Sequence, residues 1–186
     1  MAQNYRHTLF DDAVKSEQER HGSRASYAKM DAGADGTPDT LTAREIAFIE
    51  ERDSFYMASV NPEGWPYMQH RGGPAGFLRH ITGNRIGFAD FRGNKQYIST
   101  ANLAGNDRVS LFLMDYPQRT RLKILGHARI EDAREHPALV AQIAEIDAGR
   151  LVELAAHVFP RRAEAFVERP PLVVHLDDAL GGDGEA

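Results

Sequence analysis

The 186-residue chain contains no cysteine. That excludes a disulfide framework, a thiolate metal site and a cysteine nucleophile. It is also compatible with a cytoplasmic protein, which is the expectation here. No apolar run approaches the ~20 residues needed to span a bilayer. Residues 1–10 hold no apolar segment of signal-peptide length, so no membrane association is expected. Positive charge is scarce as well: 22 Lys and Arg against 27 Asp and Glu leave a formal net charge of -5. A general nucleic-acid binder needs a basic surface to neutralise phosphates, so nucleic acid is not an expected partner. A local basic patch can still hold a small anion.

Several chemical signatures are missing too. His70, His80, His127, His136, His157 and His175 are scattered, with neither i, i+4 nor His-x-x-Glu-His spacing, so no metal site is expected. Ser59, Ser99 and Ser110 lack the context of a nucleophile elbow. The glycines do not form Gly-x-Gly-x-x-Gly, which argues against a Rossmann site.

What is present is an ordinary globular composition, 42% apolar and 26% charged, in a chain long enough for one domain with a full core. Residues 8–30 are charge-rich, with an apolar stripe at Leu9, Phe10, Ala13 and Val14, and predict one surface helix. Residues 31–38 read as a loop. Thr42 and Glu45 have the spacing of a capping box, with Leu41 and Ile46 as a hydrophobic staple, and predict a short helix ending near Arg52. Phe55–Val60 predicts a strand buried on both faces. Asn61-Pro62-Glu63-Gly64 is a turn, and residues 65–71 return as the second arm of a hairpin. Two short strands, 77–81 and 85–89, flank the turn at Thr82-Gly83-Asn84. Asn94 predicts the cap of a helix running from Gln96 to Ala104, with Gly105 past its end.

Val109–Met114 predicts another strand. From Leu122 to Ile130 apolar or small residues alternate with polar ones, a half-exposed strand with Leu125 as the exception. Pro137 opens a helix ending by Gly149. Leu151–Val158 reads as a further short helix, and Leu172–Leu176 as a last strand. Sequential hairpins predict a small antiparallel barrel, mainly β or α+β, rather than a parallel sheet.

Two stretches stand out against the acidic background. In Gln69-His70-Arg71-Gly72-Gly73-Pro74-Ala75-Gly76-Phe77 a cation stands beside glycines that let backbone approach a ligand. Locally, a glycine-rich strand corner is the more usual outcome. In Arg92-Gly93-Asn94-Lys95 cations precede a helix start, whose unpaired N–H groups attract phosphate. Here solvated surface charge is the more usual outcome. Arg119, Arg121 and Lys123 make a third basic group. Trp65, Tyr67, Phe77, Phe88 and Phe91 are candidates to wall a flat heterocycle, although such rings are more often core.

In combination these segments resemble a known family. Phe55 to Arg71, His70-Arg71-Gly72-Gly73-Pro74, Arg92 to Lys95, Asn102 to Val109 and Leu122 to Gly126 are similar to segments of the FMN-binding split barrels related to pyridoxamine 5′-phosphate oxidase. The likeness runs from about Phe10 to Ile130 and is closest to an uncharacterised subgroup. It implies a six-stranded antiparallel split β-barrel of Greek-key type with flanking helices. The implied division is residues 1–40 as helix and loop packed on the barrel, 41–180 as the barrel domain and 181–186 as a disordered tail.

The resemblance also implies a homodimer with FMN at the subunit interface. By position, Arg71 and Lys95 would hold the phosphate, helped by Asn94 and the helix start. Phe88, Ala89 and Asp90 would run along the flavin, and Arg121 would reach it from the partner chain; a cationic Arg121 or Lys123 near the pyrimidine edge would favour the anionic reduced flavin. His70, Gly72, Gly93 and Gln96 complete the cofactor set, and His70 is the one candidate acid or base. There are departures. The oxidase proper carries Ser-Arg-Lys where this chain has Gly93-Asn94-Lys95. Its terminal Trp and Arg residues have no counterpart in Leu172–Asp178. Vitamin B6 oxidation is therefore not expected. An FMN-dependent oxidoreductase acting on a small molecule is the leading reading. A non-catalytic flavin- or haem-binding protein is the alternative, since a fold does not settle function.

Overall fold

The computed structural model describes residues 4–31, 39–90, 95–143 and 150–158. Three short helices come first: α1 (Tyr5–Leu9), α2 (Asp12–Arg20) and α3 (Arg24–Asp31). The single helix expected over residues 8–30 is therefore broken. Asp11 caps α2, its carboxylate accepting from the Val14 N–H at 2.8 Å. The chain then turns through His21, Gly22 and Ser23, where Gly22 has φ 72°, a region glycine enters without cost. Asn4 and Asp39 are both buried and hydrogen-bonded to each other. Asn84 donates to the Asp39 carbonyl at 2.6 Å and accepts from the Leu41 N–H at 2.9 Å.

Helix α4 (Ala43–Glu50) carries the expected capping box: the Thr42 N–H donates to Glu45 Oε2 at 2.9 Å. After it come β1 (Ser54–Val60), β2 (Pro66–Gly72), β3 (Leu78–Thr82), β4 (Arg85–Ala89), α5 (Ile98–Gly105), β5 (Arg108–Asp115), β6 (Thr120–Asp132), α6 (Pro137–Ile143) and β7 (Arg150–Val158). The strands form one antiparallel sheet in the order β2-β1-β5-β6-β7-β4-β3. Six strands were expected; the described residues contain seven, and they do not close into a barrel.

The extra strand corrects the expected helix over Leu151–Val158. That segment, β7, lies between β6 and β4, pairing Ala128 with Leu154 on one side and Ile86 with Leu154 on the other. A short apolar run fits either secondary structure by pattern. The open edges of β4 and β6 decide it, because one strand between them satisfies the backbone groups of both.

The core lies on one face of the sheet. Phe55, Met57, Leu78, Ile86, Phe88, Leu111, Leu113 and Ile124 are fully buried there, and Ile49 of α4 packs with them. β1 buries Phe55, Met57 and Ser59 and leaves the intervening residues half-buried. It is not sealed on both faces as expected. β6 alternates as expected, with Leu122, Ile124, Gly126 and Ala128 inward. The residues expected as a last strand, Leu172–Leu176, and as a tail, 181–186, lie outside the described residues.

Candidate functional site

Side chains alternate across a strand, so β2 sends Tyr67, Gln69 and Arg71 to the core side and Met68 and His70 to the other. On the core side, Arg71 Nη1 makes an ion pair with Asp90 Oδ1 at the end of β4. Both side chains are largely covered, 14% and 12% exposed. The Arg71 guanidinium lies 5.8 Å from the centroid of the Phe88 ring. Its Nε is buried and has no hydrogen-bond partner among the described residues. Such an orphaned donor is uncommon in a folded protein.

Two residues back on the same face, Gln69 Oε1 accepts a hydrogen bond from Ser99 Oγ at 3.1 Å. Ser99 is in the first turn of α5. A second buried pair, Asn102 Nδ2 to Ser59 Oγ at 3.0 Å, fixes the same helix to β1. The start of α5 is thereby held on the Arg71 side of the sheet.

The expected helix start is corrected. α5 begins at Ile98, later than expected, with Tyr97 as its N-cap residue, and Lys95 precedes the helix. Lys95 and Tyr97 both adopt left-handed backbone, with φ 60° and 54°. Positive φ is uncommon for residues with a side chain and concentrates at turns and functional sites. Lys95 and Gln96 are exposed. Gly93 and Asn94, with Phe91 and Arg92, lie outside the described residues.

The glycine cluster forms a corner tied to the end of α4. The Gly73 N–H donates to the Asp53 carbonyl at 2.9 Å, and that of Gly76 to the Arg52 carbonyl at 3.3 Å. A Cβ on Gly73 would lie 2.8 Å from Phe77 Cγ, so the aromatic ring within the same corner is what requires glycine there. Gly72 pairs with Ser54 at the end of β2. Phe88 is a core ring, edge-on to Phe55 at 5.1 Å, and Ala89 is buried beside it. Neither of these side chains is free to flank a ligand, and the backbone leading to Asp90 is what they position. Phe77 is likewise core, while Trp65 is exposed.

The other face carries a different group. His70, Tyr56, Phe112 and Lys123 form one cross-strand row over β2, β1, β5 and β6. The His70 and Tyr56 rings meet edge-on at 5.5 Å, and Lys123 Nζ lies 5.9 Å from the Phe112 ring centroid. Arg121 pairs with Met114 one step along β6 and borders a cleft of about 360 Å³ between α4 and the β5–β6 turn. Tyr116, in that turn, has its phenol pKa raised by a hydrogen bond with Tyr56. Met68 and Tyr116 are each 65% exposed, which leaves apolar surface on this side of the sheet. Thus the expected cofactor residues divide: Arg71, Asp90 and the approach to α5 on one side, His70, Arg121 and Lys123 on the other.

Residues 41–170 match the family model described as pyridoxamine 5′-phosphate oxidase. The chain belongs to this family. The pyridoxamine 5′-phosphate oxidase family match spans all of the sheet and the helices α4 to α6. Among solved structures, the chain is similar to a candidate pyridoxamine 5′-phosphate oxidase from Lactobacillus delbrueckii, with TM-score 0.50 and 20% identity over 65% of this chain and 94% of that one. It is also similar to HupZ from Group A Streptococcus, with TM-score 0.50 and 15% identity over 64% of this chain and 98% of that one. At these identities the likeness is one of fold, and it fits a split barrel. No curated protein matches the sequence significantly. Among the described residues no helix is long and apolar enough to cross a membrane. Nor do they contain a group of three or more His, Cys, Asp or Glu residues placed to hold a metal ion.

Residues that sequence reasoning missed are Gln69, Ser99, Ser59 and Asn102. Polar residues inside apolar segments were the available signal, but which ones pair is fixed only by the packing of α5.

Proposed function

We propose that this chain is an FMN-dependent oxidoreductase that works as a homodimer, with the flavin held between subunits. One observation carries the reading: the Gln69–Ser99 bond holds the start of α5 on the same face as Arg71, whose buried Nε has no partner among the described residues. A phosphate fits that arrangement, since a guanidinium offers five donors and, among the described residues, Asp90 engages one of its nitrogens. Lys95, on the approach to α5, adds exposed positive charge. Bound FMN would supply the electron-accepting ring; this chain's residues bind and orient it.

The division of the basic residues over two faces supports the dimer. A single chain presents Arg71 and Lys123 on opposite sides of one sheet, so both reach one ligand only if a second copy contributes one of them. The apolar face around Met68, Tyr56 and Phe112 is suited to that copy. Lys123 or Arg121 near the pyrimidine edge would favour negative charge on the reduced ring. The absorbance spectrum of the purified protein, followed by release and identification of the chromophore, is the direct test. Bound FMN that bleaches with NADH or NADPH and recolours in air is the expected result. A colourless protein that takes up no FMN, or one that holds haem instead, would overturn the assignment.

A further inference from the structure

The partner of Arg71 is itself informative. Asp90 is an anion already seated on the one cation that the core face of β2 provides, and it sits at the end of the strand that leads toward Lys95. Both members are mostly shielded from water, so the pair is not a loose surface contact of the kind worth almost nothing. Removing one partner of a shielded pair leaves the other uncompensated. Among the described residues, Arg71 Nε has no partner while Nη1 is engaged. Any second anion on this guanidinium would therefore share it with the Asp90 carboxylate, at a separation where like charges repel strongly.

We infer that Asp90 is a specificity-determining residue: it competes with the ligand's phosphate for Arg71 and so lowers the site's preference for a phosphorylated flavin over the same flavin without phosphate. This rests on Arg71 being the phosphate seat proposed above. Asp90 also orients the guanidinium, but orientation and competition act in opposite directions on phosphate affinity, which lets them be told apart. Replacing the carboxylate with an amide keeps an oxygen to accept from Nη1 and removes the charge.

The probes are FMN and riboflavin, which differ only in the phosphate, and the quantity read is the ratio of their dissociation constants. Flavin fluorescence quenching against wild type, Asp90→Asn and Arg71→Met gives it. In Asp90→Asn the preference for FMN rises by about tenfold or more, the effect of removing one charge–charge interaction of modest size, while riboflavin affinity stays within about twofold. In Arg71→Met the preference for FMN falls toward one. An unchanged or reduced preference in Asp90→Asn, with Arg71→Met still losing it, overturns the role of Asp90 and leaves the phosphate seat standing. A preference that Arg71→Met does not alter removes the seat, and this inference with it. Should Asp90→Asn not fold, as judged by its thermal transition, Asp90→Ser is a smaller neutral replacement read in the same way.

Discussion

Ser99 Oγ donates to Gln69 Oε1 at 3.1 Å, across a sequence separation of 30 residues. Because Gln69 and Arg71 share a face of β2, this bond ties the start of α5 to the arginine's side of the sheet, while Asn102 and Ser59 anchor the helix further along. Breaking it with Gln69→Leu leaves Ser99 buried without its acceptor. FMN affinity should fall by roughly 1–2 kcal/mol, the usual worth of a hydrogen bond plus the cost of an unmet partner, while riboflavin affinity changes less. Titrations of both flavins check this; equal losses for the two would make the bond merely structural.

Lys95 is exposed, and its backbone is held at φ 60°. If its ammonium bonds the phosphate, Lys95→Ala weakens FMN by roughly 1.5–3 kcal/mol, the range for hydrogen bonds to charged groups. Isothermal titration measures it. Affinity unchanged from wild type would take Lys95 out of the site.

The face bearing Met68 tests the dimer. Met68 lies beside Ala58 on β1 and is largely exposed, so Met68→Glu costs an isolated chain little. A carboxylate placed in a buried subunit interface is costly. Sedimentation should show Met68→Glu shifted to monomer, with FMN lost along with it. A variant that sediments like wild type argues against this face as the interface.

Gly73 has no room for a side chain, since a Cβ would meet Phe77 Cγ at 2.8 Å and Cβ at 2.9 Å. These atoms are near the Phe77 backbone and cannot swing aside. Gly73→Ala should destabilise by roughly 1–3 kcal/mol, the range for overpacking. Urea denaturation provides the number, and a stability equal to wild type would show that the corner relaxes freely.

The pH dependence of stability has a readable contributor at Asp132. Hydrogen bonds from the Arg134 side chain and backbone N–H lower its pKa from 3.8 to about 2. A carboxyl depressed on folding stabilises above its unfolded pKa, and that contribution is lost as pH falls from about 4 through about 2. Thermal melts of wild type and Asp132→Asn should therefore differ at pH 6 and converge near pH 2. A difference independent of pH would assign the effect to something other than this charge.

Local sequence determined much of this protein. The turn at Asn61–Gly64, the capping box of Thr42 and Glu45, and the alternation of β6 are all written in residues a few positions apart, where propensity and periodicity act. So were the basic and glycine-rich stretches, and the family. The tertiary structure decided what separated segments do to each other. Leu151–Val158 is a strand because β4 and β6 both offer it backbone partners. α5 starts at Ile98, and Gln69 and Ser59 hold it on the sheet through Ser99 and Asn102. His70 and Arg71 are adjacent in sequence yet belong to opposite faces, since a strand turns consecutive side chains apart. Arg71 looked like a lone cation, but the sheet brings Asp90 to it from 19 residues away. Spacing along the chain carries no information about such a pair; only strand register does.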